Sequence, residues 1–564
     1  MKRVQILRRM APWFIGGLIV KTVMLLCVFT TVGQAEEQET LKFDQAILLG
    51  RAGDQGVSWS GMGIAVNAQS IYLGTNDKDE AGGQALALRF GIPPEAPYRG
   101  SPVTWAFWSP NRRTSGGPEA EVFAGVVATE EGLYFAGRSA YLTEDGVGDK
   151  EAKAVLGKFY LTPPTGGDWG RPIWVAKPNF FRYRGNETFM AVAAAKEGGV
   201  PFIYATGQAQ SNGLNNTVIL AKYDTNGTLR WSRILGNTGW FMNSYSHGVA
   251  VMNGAVYVSG FTQYPYHLPN TIRAALWKYD SNGNPIWMKT FDRPLPIPVF
   301  RTVTVAAAEG FLYLTTALKD GPYGGIDVLV LKYDEAGNLI WSTTWGGKAD
   351  DLGRAITIHD HRLFVAGETT SFGAGGKDAV MLEVDPATGE VLCAKYYGGP
   401  ADDVAHGVQT TMDGKEVYVV GQTRSFANGS NLLGQSDVML LRYQVKPQEI
   451  VVSIDIKPGS VENSINPKSQ GKIPVAILST RGFSAPDVVK QSTLTFGRAG
   501  SEQSLAFCNS EDVNGDGQLD LACHFDTQRT AFESSDTQGI LKGLTLSGRP
   551  LKGTDSIRIV PAMR

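Results

Sequence analysis

One short pattern recurs along most of this chain and restricts the folds that are open to it. Lys-Tyr-Asp begins at Lys222, Lys278 and Lys332, at intervals of 56 and 54 residues, and each copy is followed by Gly and then by Trp. Intervals of this length suit a four-stranded propeller blade. Because one blade cannot bury both of its faces, we expect the copies to close into a ring.

The second strand of each copy is the easiest to align, and the sequence contains seven of them. Each is a short run in which large apolar residues alternate with smaller ones, as in a strand between stacked sheets. The runs begin at Ser70, Gly132, Phe202, Val256, Phe311, Leu363 and Val417. With 67 Gly, 28 Pro and few amphipathic helical stretches, the chain is predicted to be all-β. We expect a seven-bladed β-propeller over residues 36–445 and a small β-sandwich over residues 446–564.

The first 35 residues differ from the rest. Four basic residues precede an apolar stretch from Ala11 to Val32, and small residues stand where a signal peptidase would cut after Ala35. We therefore expect residues 1–35 to be a signal peptide, and the protein to be exported to the periplasm, the cell surface or the medium. Lys21 lies within the stretch and disfavours an uncleaved membrane anchor, so no membrane span is expected after cleavage.

The charge balance and the missing motifs exclude several functions. The chain has 52 Lys and Arg against 54 Asp and Glu, with no long basic run, so we expect neither nucleic acid nor an anionic membrane surface as a partner. The sequence has no Gly-x-Ser-x-Gly elbow, no His-Glu-x-x-His and no phosphate loop. We assign no catalytic residue.

A first candidate site lies at the mouth of the propeller channel, where ligands often bind. Aligning the start of the innermost strand places imidazole or guanidinium groups at equivalent positions of four consecutive copies: His247, Arg301, Arg354 and His406. One hypothesis is that these groups bind an anion such as a carboxylate, sulfate or phosphate. The alternative is that each pairs with an acidic neighbour, Arg354 with Asp350 or Asp351 and His406 with Asp402 or Asp403.

The clearest chemical motif lies in the C-terminal domain, over Asp512–Asp520. Oxygen ligands at positions one, three, five, seven and nine, with Gly at position six, are what a Ca²⁺ loop requires. The expected ligands are Asp512, Asn514, Asp516, Gln518 through its backbone carbonyl, and Asp520. We expect a structural role for Ca²⁺, because the ion would offset repulsion among three carboxylates. The loop departs from an EF-hand, since its twelfth position is Cys523 rather than Glu.

The cysteines fit an exported protein. Cys508 and Cys523 flank the loop almost symmetrically, which predicts a disulfide across the hairpin. Cys393 stands where neighbouring repeats carry Trp, and we interpret it as a buried packing residue.

Two resemblances follow from these motifs. Residues 341–385 resemble the bacterial SBBP-type β-propeller repeat, through a Gly-Gly pair, two adjacent Asp residues, an apolar strand and Gly-x-Thr. The loop at Asp512 resembles the calcium hairpins of FG-GAP and dockerin-like domains. The first resemblance implies a propeller in an exported or surface protein and specifies no activity.

We therefore favour an exported, non-enzymatic protein whose propeller binds or adheres to an unidentified protein or carbohydrate, with a calcium-stabilised C-terminal domain. The alternative is an exported enzyme that uses the channel mouth. It would be a quinone-dependent dehydrogenase or a polysaccharide hydrolase or lyase. The turn Asp385–Gly389 resembles that of quinoprotein propellers, but those enzymes usually have eight blades.

Overall fold

The computed structural model of this protein describes residues 13–15, 18–23, 41–51, 63–67, 70–79, 82–91, 104–108, 122–139, 153–161, 172–178, 180, 185–211, 216–235, 243–263, 272–295, 303–425, 437–446, 449–480, 483–546 and 548–560. The chain divides into two compact units, built on Leu41–Val445 and on Lys446–Arg564, and each is described by itself. No helix among the described residues is long and apolar enough to cross a membrane.

The first unit consists of antiparallel strands. Their bounds are β1 (Trp13–Ile15), β2 (Leu18–Val23), β3 (Leu41–Arg51), β4 (Gly63–Val66), β5 (Ser70–Asp79), β6 (Gly82–Gly91), β7 (Thr104–Trp108), β8 (Val122–Ala128), β9 (Leu133–Ser139), β10 (Lys153–Phe159), β11 (Trp174–Ala176), β12 (Gly185–Glu197), β13 (Val200–Ser211), β14 (Asn216–Asp224), β15 (Leu229–Leu235), β16 (Asn243–Met252), β17 (Ala255–Gln263), β18 (Ile272–Asp280), β19 (Pro285–Pro294), β20 (Thr304–Ala308), β21 (Phe311–Lys319), β22 (Ile326–Asp334), β23 (Leu339–Trp345), β24 (Asp351–His359), β25 (Arg362–Thr369), β26 (Asp378–Val384), β27 (Val391–Tyr397), β28 (Asp403–Thr410), β29 (Glu416–Thr423) and β30 (Asp437–Val445).

The described strands of this unit form seven sheets, which we number along the chain. Sheets one to six are β4–β7, β8–β11, β12–β15, β16–β19, β20–β23 and β24–β27, and sheet seven runs β28-β29-β30-β3-β2-β1. The first strand of each sheet packs against the first strand of the next, and β28 packs against β4, so the strands form a closed ring. This is the predicted β-propeller. The number of blades in the whole chain stays a prediction, since the count of sheets covers the described strands alone.

Sheet seven joins the two ends of the ring. Its fourth strand from β28 is β3, which pairs with β30 from Leu41 opposite Val445 to Leu49 opposite Val438. Strand β3, which precedes sheet one along the chain, therefore completes sheet seven. Strands β1 and β2, which lie in the predicted signal peptide, extend this sheet beyond β3.

Each central strand is apolar on both faces because it lies between two neighbouring sheets. In β22, Val328 and Val330 belong to a core cluster with residues of sheet six. Leu329 and Leu331 alternate with them and belong to a cluster with residues of sheet four. A strand buried on both faces reads as a continuous apolar run, which is what the sequence shows here.

In sheets two to five, the recurring Lys and Trp residues hold the sheet against a turn of the next sheet. Lys222 Nζ and Trp231 Nε1 both donate to the carbonyl oxygen of Ser281, at 3.1 and 2.9 Å. At three other contacts a Lys and a Trp also donate to one backbone carbonyl oxygen. These are Lys158 and Trp174 to Thr225, Lys278 and Trp287 to Glu335, and Lys332 and Trp341 to Pro386. Ring packing is thus combined with two hydrogen bonds at each of these contacts, which supports the interpretation of the Trp residues as packing devices.

The Gly of the repeated turn is fixed by the same contact. Gly283 has a φ of 78°, and a Cβ placed on it would lie 2.9 Å from the ring of Trp231. A side chain would therefore strain the backbone and collide with the indole. Gly227 and Gly389 meet Trp174 and Trp341 in the same way.

The second unit has two four-stranded sheets around one core. Its strands are β31 (Ile450–Val451), β32 (Ile454–Ile456), β33 (Ser464–Ile465), β34 (Lys472–Ile477), β35 (Thr495–Gly497), β36 (Leu505–Glu511), β37 (Asp520–Asp526), β38 (Gln538–Leu544), β39 (Pro550–Ser556) and β40 (Arg558–Ile559), with a short helix α1 (Ala485–Val488) and two 3-10 turns, Gln491–Thr493 and Thr527–Arg529. The sheets run β31-β39-β38-β35 and β32-β34-β37-β36, and β33 pairs with β40. Phe496 and Leu541 of the first sheet share a core cluster with Val475 and Phe525 of the second.

Candidate functional site

The positions aligned at the channel mouth are β-bulges. In sheets two, three, four, six and seven, the pairing of the first strand with the second skips one residue: Ala124, Met190, His247, Arg354 and His406. A bulge bends its strand and re-aims the extra side chain. The same bulge requires a glycine opposite it in the second strand, because a Cβ on Gly260 or Gly367 would lie 1.8 Å from a carbonyl oxygen of the first strand.

Sheet five does not follow the sequence alignment. Ala306 pairs with Tyr313 in sheet five as Ala250 pairs with Tyr257 in sheet four. Counting back from these pairs, the residue equivalent to His247 is Val303, which is buried. Arg301 lies two residues earlier and outside the described residues.

Two of the bulge side chains, His247 and Arg354, contact the residue after the glycine on the second strand. The His247 ring stacks on Phe261 with centroids 5.5 Å apart. Arg354 donates to Glu368 Oε2 through Nε at 2.9 Å and Nη2 at 2.7 Å, and Lys377 pairs with the other oxygen at 2.7 Å. Burial alone would raise the pKa of Glu368, but Arg354 and Lys377 hold the pKa below its usual value.

The partner of Arg354 is therefore Glu368 and neither Asp350 nor Asp351. Sequence spacing could not identify it, because Glu368 lies on the neighbouring strand, fourteen residues along the chain. Arg354 is thus held by a buried carboxylate, and because Lys377 pairs with the same carboxylate, two positive groups share one negative group here.

Sequence reasoning missed a buried amide beside His406. Gln422 occupies the position in sheet seven that Glu368 occupies in sheet six, opposite Val404. It is fully buried, and neither its amide oxygen nor its amide nitrogen has a hydrogen-bond partner within the described structure. An unsatisfied buried amide costs about 1–3 kcal/mol for each polar group. The only sequence signal was the polar residue in a Gly-x-Thr context.

In the C-terminal unit, the predicted calcium loop is ordered by its own carboxylates. Asp512 accepts the backbone N–H groups of Gly515, Asp516 and Gly517 at 2.8, 3.1 and 2.9 Å. Gly515 and Gly517 both have positive φ angles, which let the chain turn around the Asp512 carboxylate. The side chains of Asn514 and Asp516 lie within 3.3 Å of each other. These three oxygen-bearing side chains are exposed and close together, as a hard cation requires.

Asp520 has a different position from the other expected ligands. It is buried, and its two oxygens accept the backbone N–H groups of Ser479 at 2.7 Å and Val513 at 3.1 Å. It therefore anchors the loop, and each oxygen keeps a lone pair for further bonding. Gln518 Nε2 donates to Asp516 Oδ2 at 3.3 Å. Among the described residues no group of three or more His, Cys, Asp or Glu residues could hold a metal ion, so a cation here would depend on Asn514 and on backbone carbonyls.

A disulfide joins the two strands that flank this loop. Cys508 and Cys523 lie directly opposite each other on β36 and β37 and are bonded. Cys523 belongs to the core of the unit, and Cys508 packs against that core. Cys393, in the propeller, is partly buried and packs against the core cluster of sheets six and seven.

Comparisons with known proteins identify neither a family nor a function for this chain. No family model matches this chain, and no curated protein matches it. Among solved structures it is similar to the Neurospora crassa Pan2 WD40 domain, with 9% identity over 70% of this chain and 90% of that one and a TM-score of 0.39. It is also similar to the β-propeller domain of the Pyrococcus furiosus Trilobed protease, with 7% identity over 69% and 94% and a TM-score of 0.38. A third structure, the phage phi92 endosialidase, is 13% identical over 89% and 86%, with a TM-score of 0.37. The resemblance to the SBBP repeat stays a prediction.

Proposed function

We propose that this chain is an exported, non-enzymatic binding protein, whose propeller takes a polar ligand at the bulged end of the ring, beside His406 and Gln422. The observation that carries this proposal is the buried Gln422 amide, whose two polar atoms have no partner in the described structure. Buried polar groups are nearly always hydrogen-bonded, so this amide is a position that an ordered water or a ligand hydroxyl would satisfy.

The ligand class that fits best is a carbohydrate. The Gln422 amide needs one partner that donates and one that accepts, and neighbouring sugar hydroxyls do both. An anion fits less well at Gln422, because the amide carries no charge to balance it.

Binding to an array of bacterial and host glycans tests this function. The full chain should bind a subset of glycans, and Gln422→Met, which keeps the size of the side chain but removes both hydrogen bonds, should lose these signals. Thr357→Val, on the neighbouring sheet, serves as the matched control and should keep them. Glycan binding that is unchanged in Gln422→Met, or release of cleaved sugar from the bound glycan, would overturn the proposal.

We also propose that Ca²⁺ stabilises the C-terminal unit through Asp512, Asn514, Asp516 and the Gln518 carbonyl, with Asp520 anchoring the loop. The crowding of the first three side chains supports this proposal. The ion would neutralise the loop carboxylates and has no catalytic part.

A further inference from the structure

Two buried aspartates face each other between sheets five and six of the propeller. Asp327 lies at the start of β22 and Asp351 at the start of β24, and neither is exposed to solvent. A Cβ placed on Gly346 would lie 2.3 Å from Asp327 Oδ1 and 2.8 Å from Asp351 Oδ2. The two oxygens are therefore no more than about 5 Å apart, the range in which like charges shift each other's pKa.

The two carboxyl groups differ in their hydrogen bonds. Asp351 accepts three donors: the Thr369 hydroxyl on Oδ1, and the Gly347 N–H and the Ser371 hydroxyl on Oδ2, both at 2.7 Å. Asp327 accepts only the Tyr323 N–H, at 3.2 Å on Oδ2. Its Oδ1 is buried and has no hydrogen-bond partner in the described structure. Asp351 therefore has hydrogen-bond donors on both oxygens, whereas the Asp327 Oδ1 has none in the described structure.

No cation neutralises this pair within the described part of the chain. The charged groups on the turns packed against it are Asp320, Lys348 and Asp350, and all three are exposed. Tyr396 of β27 lies near Asp351; burial raises the pKa of this tyrosine, and the charge of Asp351 raises it further. Burial raises the pKa of Asp327, and the charge of Asp351 raises it further.

The repeat builds a second pair of the same kind between sheets six and seven. A Cβ on Gly398 would lie 1.8 Å from Asp378 Oδ1 and 3.0 Å from Asp403 Oδ2. Asp403 accepts the Gly399 N–H and the hydroxyls of Thr423 and Ser425. Burial and the charge of Asp403 raise the pKa of Asp378. In each pair the second aspartate, Asp351 or Asp403, is the one that accepts hydrogen bonds on both of its oxygens.

A proton fits this geometry better than a metal ion does. Ca²⁺ takes six to eight oxygen ligands, and no third acidic or histidine side chain in the described ranges joins the pair. One proton needs only two carboxyl groups, as in other close carboxylate pairs.

We propose that Asp327 is protonated beside the carboxylate of Asp351, and that this proton helps to join sheets five and six. When the pH rises, Asp327 releases the proton to solvent and two negative charges face each other across the contact. The contact between the sheets is then weakened at higher pH and strengthened at lower pH.

The sign follows from linkage. An aspartate whose pKa is raised by folding stabilises the folded state most below the pKa of the unfolded chain. That contribution is lost as the pH rises through the raised pKa of the folded state. Other groups also titrate in this range, so the informative quantity is the difference in Tm between a variant and the wild type at each pH.

Thermal unfolding of the full chain from about pH 4 to about pH 8, with Asp327→Asn and Asp351→Asn, tests the proposal. Asp327→Asn imitates the protonated acid, so its Tm relative to the wild type should rise by several degrees with increasing pH. Asp351→Asn should lower the Tm at every pH. In asparagine an amide nitrogen replaces one carboxylate oxygen, and this nitrogen cannot accept a hydrogen bond from the donors around it. If Asp351→Asn does not fold, Asp378→Asn in the second pair should repeat the pattern of Asp327→Asn.

Two results would overturn the proposal. One is a Tm difference for Asp327→Asn that is negative or does not change with pH. The other is stabilisation of the wild type by added Ca²⁺ that Asp327→Asn abolishes and Asp512→Asn leaves intact, which would indicate a metal ion in place of the proton.

Discussion

At the residue scale, the repeated Lys, Gly and Trp are parts of one contact between neighbouring sheets. Trp231 of sheet three covers Gly283 in the turn of sheet four, and its indole and Lys222 both hydrogen-bond the Ser281 carbonyl. Packing by Trp was predicted from its recurrence. The hydrogen bond from Lys222 was not predicted, because a recurring lysine is equally typical of a solvent-exposed position.

Trp231→Ala should lower the free energy of unfolding by about 3 kcal/mol, because a large aromatic contact and a hydrogen bond are lost. Gly283→Ala should cost more than about 1 kcal/mol, through its positive φ and its collision with the indole. The two costs should not add. Once the indole is removed, the added methyl group has room, so only the backbone strain remains.

Urea denaturation of both single variants and of the double variant measures this coupling, with Trp231→Phe as the control that keeps a ring. Strict additivity of the two single effects would contradict this contact.

The limit of sequence reasoning at this scale is visible at Arg301. Strand side chains alternate with a period of two, so shifting an alignment by two residues preserves the pattern of apolar and small residues. The sequence Thr302–Ala306 fits either register. Only the pairing of Ala306 with Tyr313 shows that Val303, and not Arg301, is equivalent to His247.

At the scale of elements, ring closure depends on β3. This strand pairs with β30, almost four hundred residues further along the chain. The repeat predicted that a ring must close, since each sheet needs two neighbours. It did not predict which strand completes the last sheet, because apolar alternation specifies a buried strand but not its partner.

Removal of residues 1–35 should leave the Tm of the propeller nearly unchanged, because β3 and its pairing with β30 are retained. Removal of residues 1–51 should lower that Tm strongly and promote aggregation, since β30 becomes an open edge with unpaired backbone groups. Scanning calorimetry of the two truncated chains, with light scattering as a second readout, distinguishes them. Equal Tm values would show that β3 does not close the ring.

At the scale of the whole molecule, the chain has two units with separate cores and separate chemistry. The propeller contains the Lys and Trp contacts, the acid pairs and the buried Gln422, whereas the second unit contains the Asp512 loop and the disulfide. All-β architecture followed from composition and repeat length. The buried amide and the paired aspartates did not, because both arise from side chains that are distant in sequence.

We propose that the propeller binds the ligand and that the C-terminal unit alone binds calcium. A cation that binds only the folded loop adds about 2.7 kcal/mol to the free energy of unfolding when its concentration is one hundred times its Kd. Asp512 and Asp516 are the ligands whose loss should matter most, because both are exposed carboxylates of the same loop.

Differential scanning calorimetry of the full chain, with Ca²⁺ or with chelator, tests this division most directly. Calcium should raise the transition of the C-terminal unit by several degrees and leave the propeller transition in place, and Asp512→Asn combined with Asp516→Asn should abolish the shift. A C-terminal transition that is insensitive to Ca²⁺, or a calcium shift that persists in the double variant, would contradict the account.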